Sequence, residues 1–188
     1  FQQGPLFHNL ILADEINRAP AKVQSALLEA MAERQITVGS ETYRLPEIFL
    51  VMATQNPLEQ EGTYPLPEAQ LDRFLMHVRV GYPDAADEKA ILALTRAEAH
   101  SQAQPAPPAE AMISQQNLRQ ARNDVLDIHL DASLEDYIIE IILATRSAER
   151  YGEELAGWIQ HGASPRATMA LDRCARAYAW LKGRDYVV

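Results

Sequence analysis

Cysteine is nearly absent: Cys174 is the single thiol in 188 residues. An internal disulfide is therefore excluded, and a lone thiol fits a reducing cytoplasm. Basic residues are also scarce, with 17 Lys and Arg against 26 Asp and Glu and a formal net charge of −9. That balance argues against DNA, RNA or an anionic membrane as the main partner, because each attracts cationic surfaces. No apolar run approaches the ~20 residues that a membrane span needs. The opening Phe1-Gln2-Gln3-Gly4-Pro5 lacks an initiator Met and any basic segment followed by an apolar one, so no signal peptide is read there. The missing Met also leads us to expect a piece of a longer polypeptide. His8, His77, His100, His129 and His161 show no HExxH or other close ligand spacing, so zinc is not expected. There is no G-x-S-x-G elbow, and no G-x-x-x-x-G-K-[ST] phosphate loop. What is present is an ordinary globular composition, 47% apolar and 23% charged, which excludes a wholly disordered chain.

The first eighty residues alternate between strand and helix patterns. Leu6–Ala13 is a nearly continuous apolar run closed by Asp14-Glu15, as in a strand buried on both faces of a parallel sheet. Between Ala21 and Arg34 the apolar positions Val23, Ala26, Leu27, Ala30 and Met31 follow helical spacing, with Lys22, Gln24, Glu29 and Glu33 on the opposite face. Gln35–Leu45 has the pattern of a hairpin around Gly39. Ile48–Thr54 reads as a second buried strand, and Pro65 and Pro67 lead into a short helix through Asp72. Leu75–Val80 reads as a third strand. After Pro83 the pattern turns helical, at 84–96, 114–125, 133–149 and 165–182. Asp84, Ser133 and Ser164 are the expected caps. Ser101–Ala109 is rich in Pro and Ala and is expected to be a mobile loop, placed at 101–111. The expected organisation is an α/β portion over 1–82 and an all-α portion over 83–188.

Several residues could carry chemistry. Asp14 and Glu15 stand at the carboxyl end of a buried strand, where open α/β sheets place their ligands. Phosphoanhydride hydrolysis needs one carboxylate near Mg²⁺ and another to orient or deprotonate water. The competing reading is a strand that ends in solvated acids. Asn56 closes the second strand; if that strand lies beside the first, its amide would sit level with Asp14 and Glu15 and could hold a water between a carboxylate and a phosphate, although Asn-Pro is also an ordinary turn. Arg73 follows a short helix and could reach a neighbour's phosphate, or form a surface ion pair with Asp72 or Glu68. Arg166 lies in the first turn of the last major helix, where a cation is unfavourable unless an acid or phosphate accompanies it. Cys174 has helical apolar neighbours and reads as core.

Taken together, these segments resemble the MoxR family of AAA+ ATPases. Leu-Ile-Leu-Ala-Asp-Glu-Ile-Asn-Arg-Ala-Pro (10–20) resembles the family's Walker B strand, and residues 22–31 the helix that follows. Met-Ala-Thr-Gln-Asn-Pro (52–57) is similar to the sensor 1 strand. Residues 61–74, ending Gln-Leu-Asp-Arg-Phe, are similar to the arginine-finger segment, and Gly-Ala-Ser-Pro-Arg-Ala (162–167) to sensor 2 of the helical lid. The resemblance implies a P-loop NTPase core with a partial parallel sheet followed by an all-α lid. It implies ATP and Mg²⁺ as cofactors, with Asp14 at the metal, Glu15 activating the lytic water and Asn56 sensing the γ-phosphate. Arg73 would act on the adjacent subunit of a ring, expected to be a hexamer, and Arg166 would report nucleotide from the lid. The 35–45 hairpin resembles one that faces the ring's pore. The family implies a cytoplasmic, chaperone-like activity on partner proteins, often ones with von Willebrand factor A domains. The P-loop that this family uses would lie upstream of Phe1, so weak or absent ATP binding is expected of these residues alone. A metal-chelatase ATPase subunit and a non-catalytic helical interaction module are the alternatives.

Overall fold

The computed structural model describes residues 3–56, 62–101 and 112–188. The Pro/Ala-rich segment expected to be mobile lies outside these residues, apart from its first residue. The chain divides into two units: residues up to Leu75 together with Arg122–Val188, and Met76–Ala121.

In the first unit, β1 (Leu10–Ala13) and β4 (Leu50–Ala53) pair in parallel, with Leu10 beside Leu50 and Ala13 beside Ala53. Between them in the chain lie α1 (Ala21–Glu33) and the antiparallel hairpin of β2 (Gln35–Val38) and β3 (Glu41–Arg44). The expected hairpin is therefore present. Its two-residue loop opens on Gly39 at φ +65°, a left-handed conformation that costs glycine least. The core joins Ile16, Leu27, Leu28 and Leu66, with Ala13, Val51, Ala53, Met31 and Phe74 packed against it. Burying a leucine such as Leu28 contributes about 1.5–3 kcal/mol. The other sheet face, Leu10, Leu12, Leu50 and Met52, is exposed. The two strands were expected to be buried on both faces; with α1 on one side, only that side is covered.

The polar face of α1 also needs correction. Val23 is 53% exposed, whereas Gln24 is 2% exposed. Gln24, Leu27, Leu28 and Met31 form an i, i+3, i+4, i+7 stripe, so the helix turns a glutamine into the core. Its Nε2 donates to the carbonyls of Ile16 (3.1 Å) and Tyr64 (2.9 Å), which gives the buried amide partners and ties the chain after β1 to the chain before α2. Gln24→Leu keeps the side-chain bulk but leaves both carbonyls without that donor. Unfolding free energy from urea titration should fall by about 2 kcal/mol; a loss under about 0.5 kcal/mol would show that other groups satisfy the carbonyls.

The short helix before Asp72 is α2 (Glu68–Leu71). Leu75–Val80 is not a strand. Val78 and Val80 are 71% and 89% exposed, and an apolar alternation cannot become a strand without a neighbour for its backbone bonds. In the second unit, α3 (Ala85–Ser101) is capped by Asp84, whose Oδ1 accepts from the backbone N–H groups of Ala86 (2.8 Å) and Asp87 (2.9 Å). α4 (Gln115–Asp127) crosses the dividing point in the chain.

The remaining helices of the first unit are α5 (Ala132–Arg146), α6 (Glu153–Trp158) and α7 (Pro165–Leu181). The cap of α5 is Asp131 rather than Ser133, because the Asp131 carboxylate accepts from both the backbone N–H (2.9 Å) and the hydroxyl (2.6 Å) of Ser133. A short 3-10 turn, Ala148–Tyr151, follows α5 where a longer helix was expected. Cys174 is half-buried and free. The chain then returns close to the end of α5. A Cβ on Gly162 would lie 2.9 Å from Arg146 Cα, so only glycine fits this approach. It is locked by Arg146 Nε donating to the Ala163 carbonyl (2.7 Å) and Ala163 N–H donating to Thr145 Oγ1 (2.9 Å). That anchor sets the position of Ser164 and Arg166. No helix among the described residues is long and apolar enough to cross a membrane.

Candidate active site

Because β1 and β4 run in parallel with Ala13 beside Ala53, Asp14 comes level with Thr54 just beyond the carboxyl ends of both strands. Thr54 Oγ1 donates to Asp14 Oδ1 at 2.5 Å and accepts from Glu15 N–H at 2.9 Å. Glu15 has φ 49° and ψ 51°, a left-handed conformation that a non-glycine residue keeps only where its surroundings impose it. Its carboxylate lies 3.1 Å from Arg18 Nε. Both residues of that pair are substantially exposed, so it adds little stability.

The amide expected level with the two acids lies two residues further on. The Asn56 carbonyl accepts from Asn17 Nδ2 at 3.3 Å, and the Asn17 carbonyl accepts from Tyr64 N–H at 2.5 Å. Arg73, exposed just past α2, donates from Nη1 to the Leu28 carbonyl at 3.3 Å. The ion pair considered for it goes elsewhere. Asp72 binds Arg166 instead, with Nη1 to Oδ2 at 2.8 Å, and Ser164 Oγ donates to Asp72 Oδ1 at 2.6 Å. The cation in the first turn of α7 therefore has the acidic partner that its position demanded, while Ser164 also caps the helix by accepting from Arg166 N–H.

Sequence reasoning passed over Thr54 and the role of Asp72. A hydroxyl one residue past the second strand was a usable signal for Thr54 once the strands were taken as parallel neighbours. No local signal pointed from Asp72 to a residue 94 positions away.

The Ser164 hydroxyl, then the Arg166 guanidinium, hold the Asp72 carboxyl below the usual aspartate range. A carboxyl whose pKa is lower folded than unfolded contributes stability above its unfolded value and loses it as pH falls through the folded one. Asp72→Asn should therefore lower stability at pH 7 by up to about 1 kcal/mol, Arg166 being half exposed. The gap between mutant and wild type should close below about pH 4. Urea titrations at pH 7 and pH 3 check this, and a gap unchanged at pH 3 would exclude the ionised latch.

Among the described residues no three His, Cys, Asp or Glu side chains gather into a metal-holding group. The Asp14 carboxylate, oriented by the Thr54 hydroxyl, is an oxygen donor that suits a hard cation. Magnesium is commonly held by one or two carboxylates and the oxygens of a bound phosphate. The site thus fits Mg²⁺ brought with a nucleotide and does not fit a self-contained metal cage.

Comparison with known proteins gives a consistent result. Residues 1–76 match the model of the ATPase family associated with various cellular activities (AAA), and residues 156–188 match the AAA lid domain. The Chaperone MoxR1 of Mycobacterium tuberculosis is 45% identical over 98% of this chain and 48% of its own length. YeaC of Bacillus subtilis is 44% identical over 100% of this chain and 55% of its own. Protein MoxR of Paracoccus denitrificans is 34% identical over 93% of this chain and 53% of its own. The chain thus spans about half the length of these relatives. The crystal structure of a Cytophaga hutchinsonii protein superposes with a TM-score of 0.89 at 47% identity, covering 100% of this chain and 56% of that one. An MCM homologue from Methanopyrus kandleri, with a TM-score of 0.55 at 21% identity, shares the fold alone over 95% of this chain and 33% of its own. The fold is an AAA+ α/β core with a partial parallel sheet, followed by an all-α lid. With the two AAA models matching in order and MoxR proteins aligning over nearly all of its residues, the chain belongs to the MoxR family of AAA+ ATPases.

Proposed function

We propose that this chain forms the hydrolytic and lid portion of an ATPase that works as a ring, expected to be a hexamer, to remodel or mature partner proteins. The observation that carries the reading is the pair Asp14 and Glu15 beyond the end of β1, held against β4 by Thr54, in the position where α/β sheets receive ligands. Asp14 would hold the shell of Mg²⁺, and Glu15 would take a proton from the attacking water. Asn56 would contact the terminal phosphate. Arg73 would serve the neighbouring subunit, and Arg166 would answer to nucleotide from the lid. Bound Mg²⁺ would supply neutralisation of phosphate charge. The working division is an α/β portion over 1–82 and a lid over 83–188. The β2–β3 hairpin would line the pore. A chaperone role rests on the printed name of the M. tuberculosis relative. A cytoplasmic location and partners with von Willebrand factor A domains follow from the family alone.

The test is phosphate release from ATP by a form of the protein that includes a phosphate-binding loop. Turnover should require Mg²⁺ and stop on chelation with EDTA. Hydrolysis that persists without divalent cations would sink the reading.

A further inference from the structure

We propose that Thr54 is a positioning residue of this site, orienting the Asp14 carboxylate and fixing the backbone of Glu15. The inference rests on the ATPase reading above and goes beyond it, because it assigns a task to a residue outside the expected set.

Thr54 makes four hydrogen bonds to four consecutive residues. Its N–H donates to the Ala13 carbonyl at 3.0 Å and its carbonyl accepts from Ile16 N–H at 3.0 Å. These two bonds continue the parallel pairing, and any residue but proline could make them. The other two depend on the hydroxyl. A hydroxyl has one proton and two lone pairs. Glu15 N–H can only donate, so it takes a lone pair of Oγ1 at 2.9 Å, and the single Oγ1 proton goes to Asp14 Oδ1 at 2.5 Å. The direction of both bonds is thus determined. The β-branch of threonine restricts rotation about Cα–Cβ, so the hydroxyl is held in place before any ligand arrives.

Two consequences follow for the acids. Asp14 Oδ1 is occupied, which fixes the rotation of the carboxylate and leaves Oδ2 without a partner among the described residues. At Glu15, the bond to N–H anchors a residue at φ 49°, a conformation that would otherwise relax. A single hydroxyl therefore sets both the side-chain orientation of the metal-side acid and the backbone from which the water-side acid projects. Outer-shell hydrogen bonds of this kind typically alter metal affinity or activity by 10–100-fold when removed.

The experiment uses a form of the protein with its phosphate-binding loop, as wild type, Thr54→Val, Thr54→Ser and Glu15→Gln. Valine keeps the branched shape and removes the hydroxyl; serine keeps the hydroxyl. Thr54→Val should raise the Mg²⁺ concentration for half-maximal turnover ~10–100-fold. The Mg²⁺ dependence of ATP affinity, read by calorimetry without turnover, should shift by the same factor. Thr54→Ser should stay within about threefold of wild type in both. A role in strand closure alone would move the melting temperature of Thr54→Val and leave its Mg²⁺ dependence at the wild-type value. Should Thr54→Val not fold, Thr54→Ala carries the same expectation. An unshifted Mg²⁺ dependence beside an inactive Glu15→Gln overturns the positioning role and leaves the ATPase reading standing. A Glu15→Gln protein that still turns over ATP overturns the reading on which the role depends.

Discussion

Replacing Glu15 by Gln, in a form of the protein with its phosphate-binding loop, is expected to preserve ATP binding and reduce turnover at least ~10²-fold, the usual effect of removing a positioned acid/base group. Glutamine matches the shape of glutamate and keeps a hydrogen-bonding oxygen, but it cannot take a proton from water. The backbone at residue 15 is anchored through its N–H to Thr54, a bond that the substitution leaves in place. The contact with Arg18 would lose its charge, at a cost under about 1 kcal/mol for so exposed a pair. Binding and folding should thus survive while chemistry fails. Calorimetric titration with ATP, phosphate release and a thermal melt separate these effects. Solvated acids at a strand end, the competing view of this position, would leave turnover unchanged.

Arg73→Ala should have an effect of similar or larger size. A guanidinium supplied across a subunit interface stabilises charge on the transferring phosphoryl group and is worth roughly 10³-fold or more in turnover. Among the described residues the Arg73 side chain makes one long bond, 3.3 Å to the Leu28 carbonyl, and it is exposed, so truncation should cost no more than about 1 kcal/mol of stability. The trans character can be read directly by mixing. A ring assembled from equal amounts of Arg73→Ala and Glu15→Gln subunits should recover activity, because about one interface in four then joins an intact Glu15 to an intact Arg73. Neither variant alone contains such an interface. If the mixture is no more active than its parts, although the subunits exchange, Arg73 does not act across the interface.

The site was legible in the sequence to different depths. The two acids were visible because a strand that ends in adjacent carboxylates is a local pattern, and the two apolar runs were read as strands, which the structure pairs in parallel with residue 54 beside residue 14. The level of the amide was not. Parallel register depends on the last paired residues, Ala13 and Ala53, and it puts a threonine where an asparagine was expected. Arg166 was identifiable by its unfavourable place at a helix start, which implied a negative partner without naming it. Asp72 supplied that charge from a distant segment. On α1, apolarity selected Val23 for the core, yet two buried carbonyls required a donor, and Gln24 was the residue whose amide reached both.

By itself the sequence determined the alternation of strand and helix, the hairpin at Gly39, the caps at Asp84 and Ser164, and the acids at the end of β1. These features depend on side chains within a few residues of one another, where backbone geometry alone sets the distance. Only the tertiary structure decided which hydroxyl holds Asp14, which acid holds Arg166 and which face of α1 is buried. Those outcomes rest on partners 40 and 94 residues apart along the chain, and on buried backbone groups whose need for hydrogen bonds appears only once the segments have been packed together.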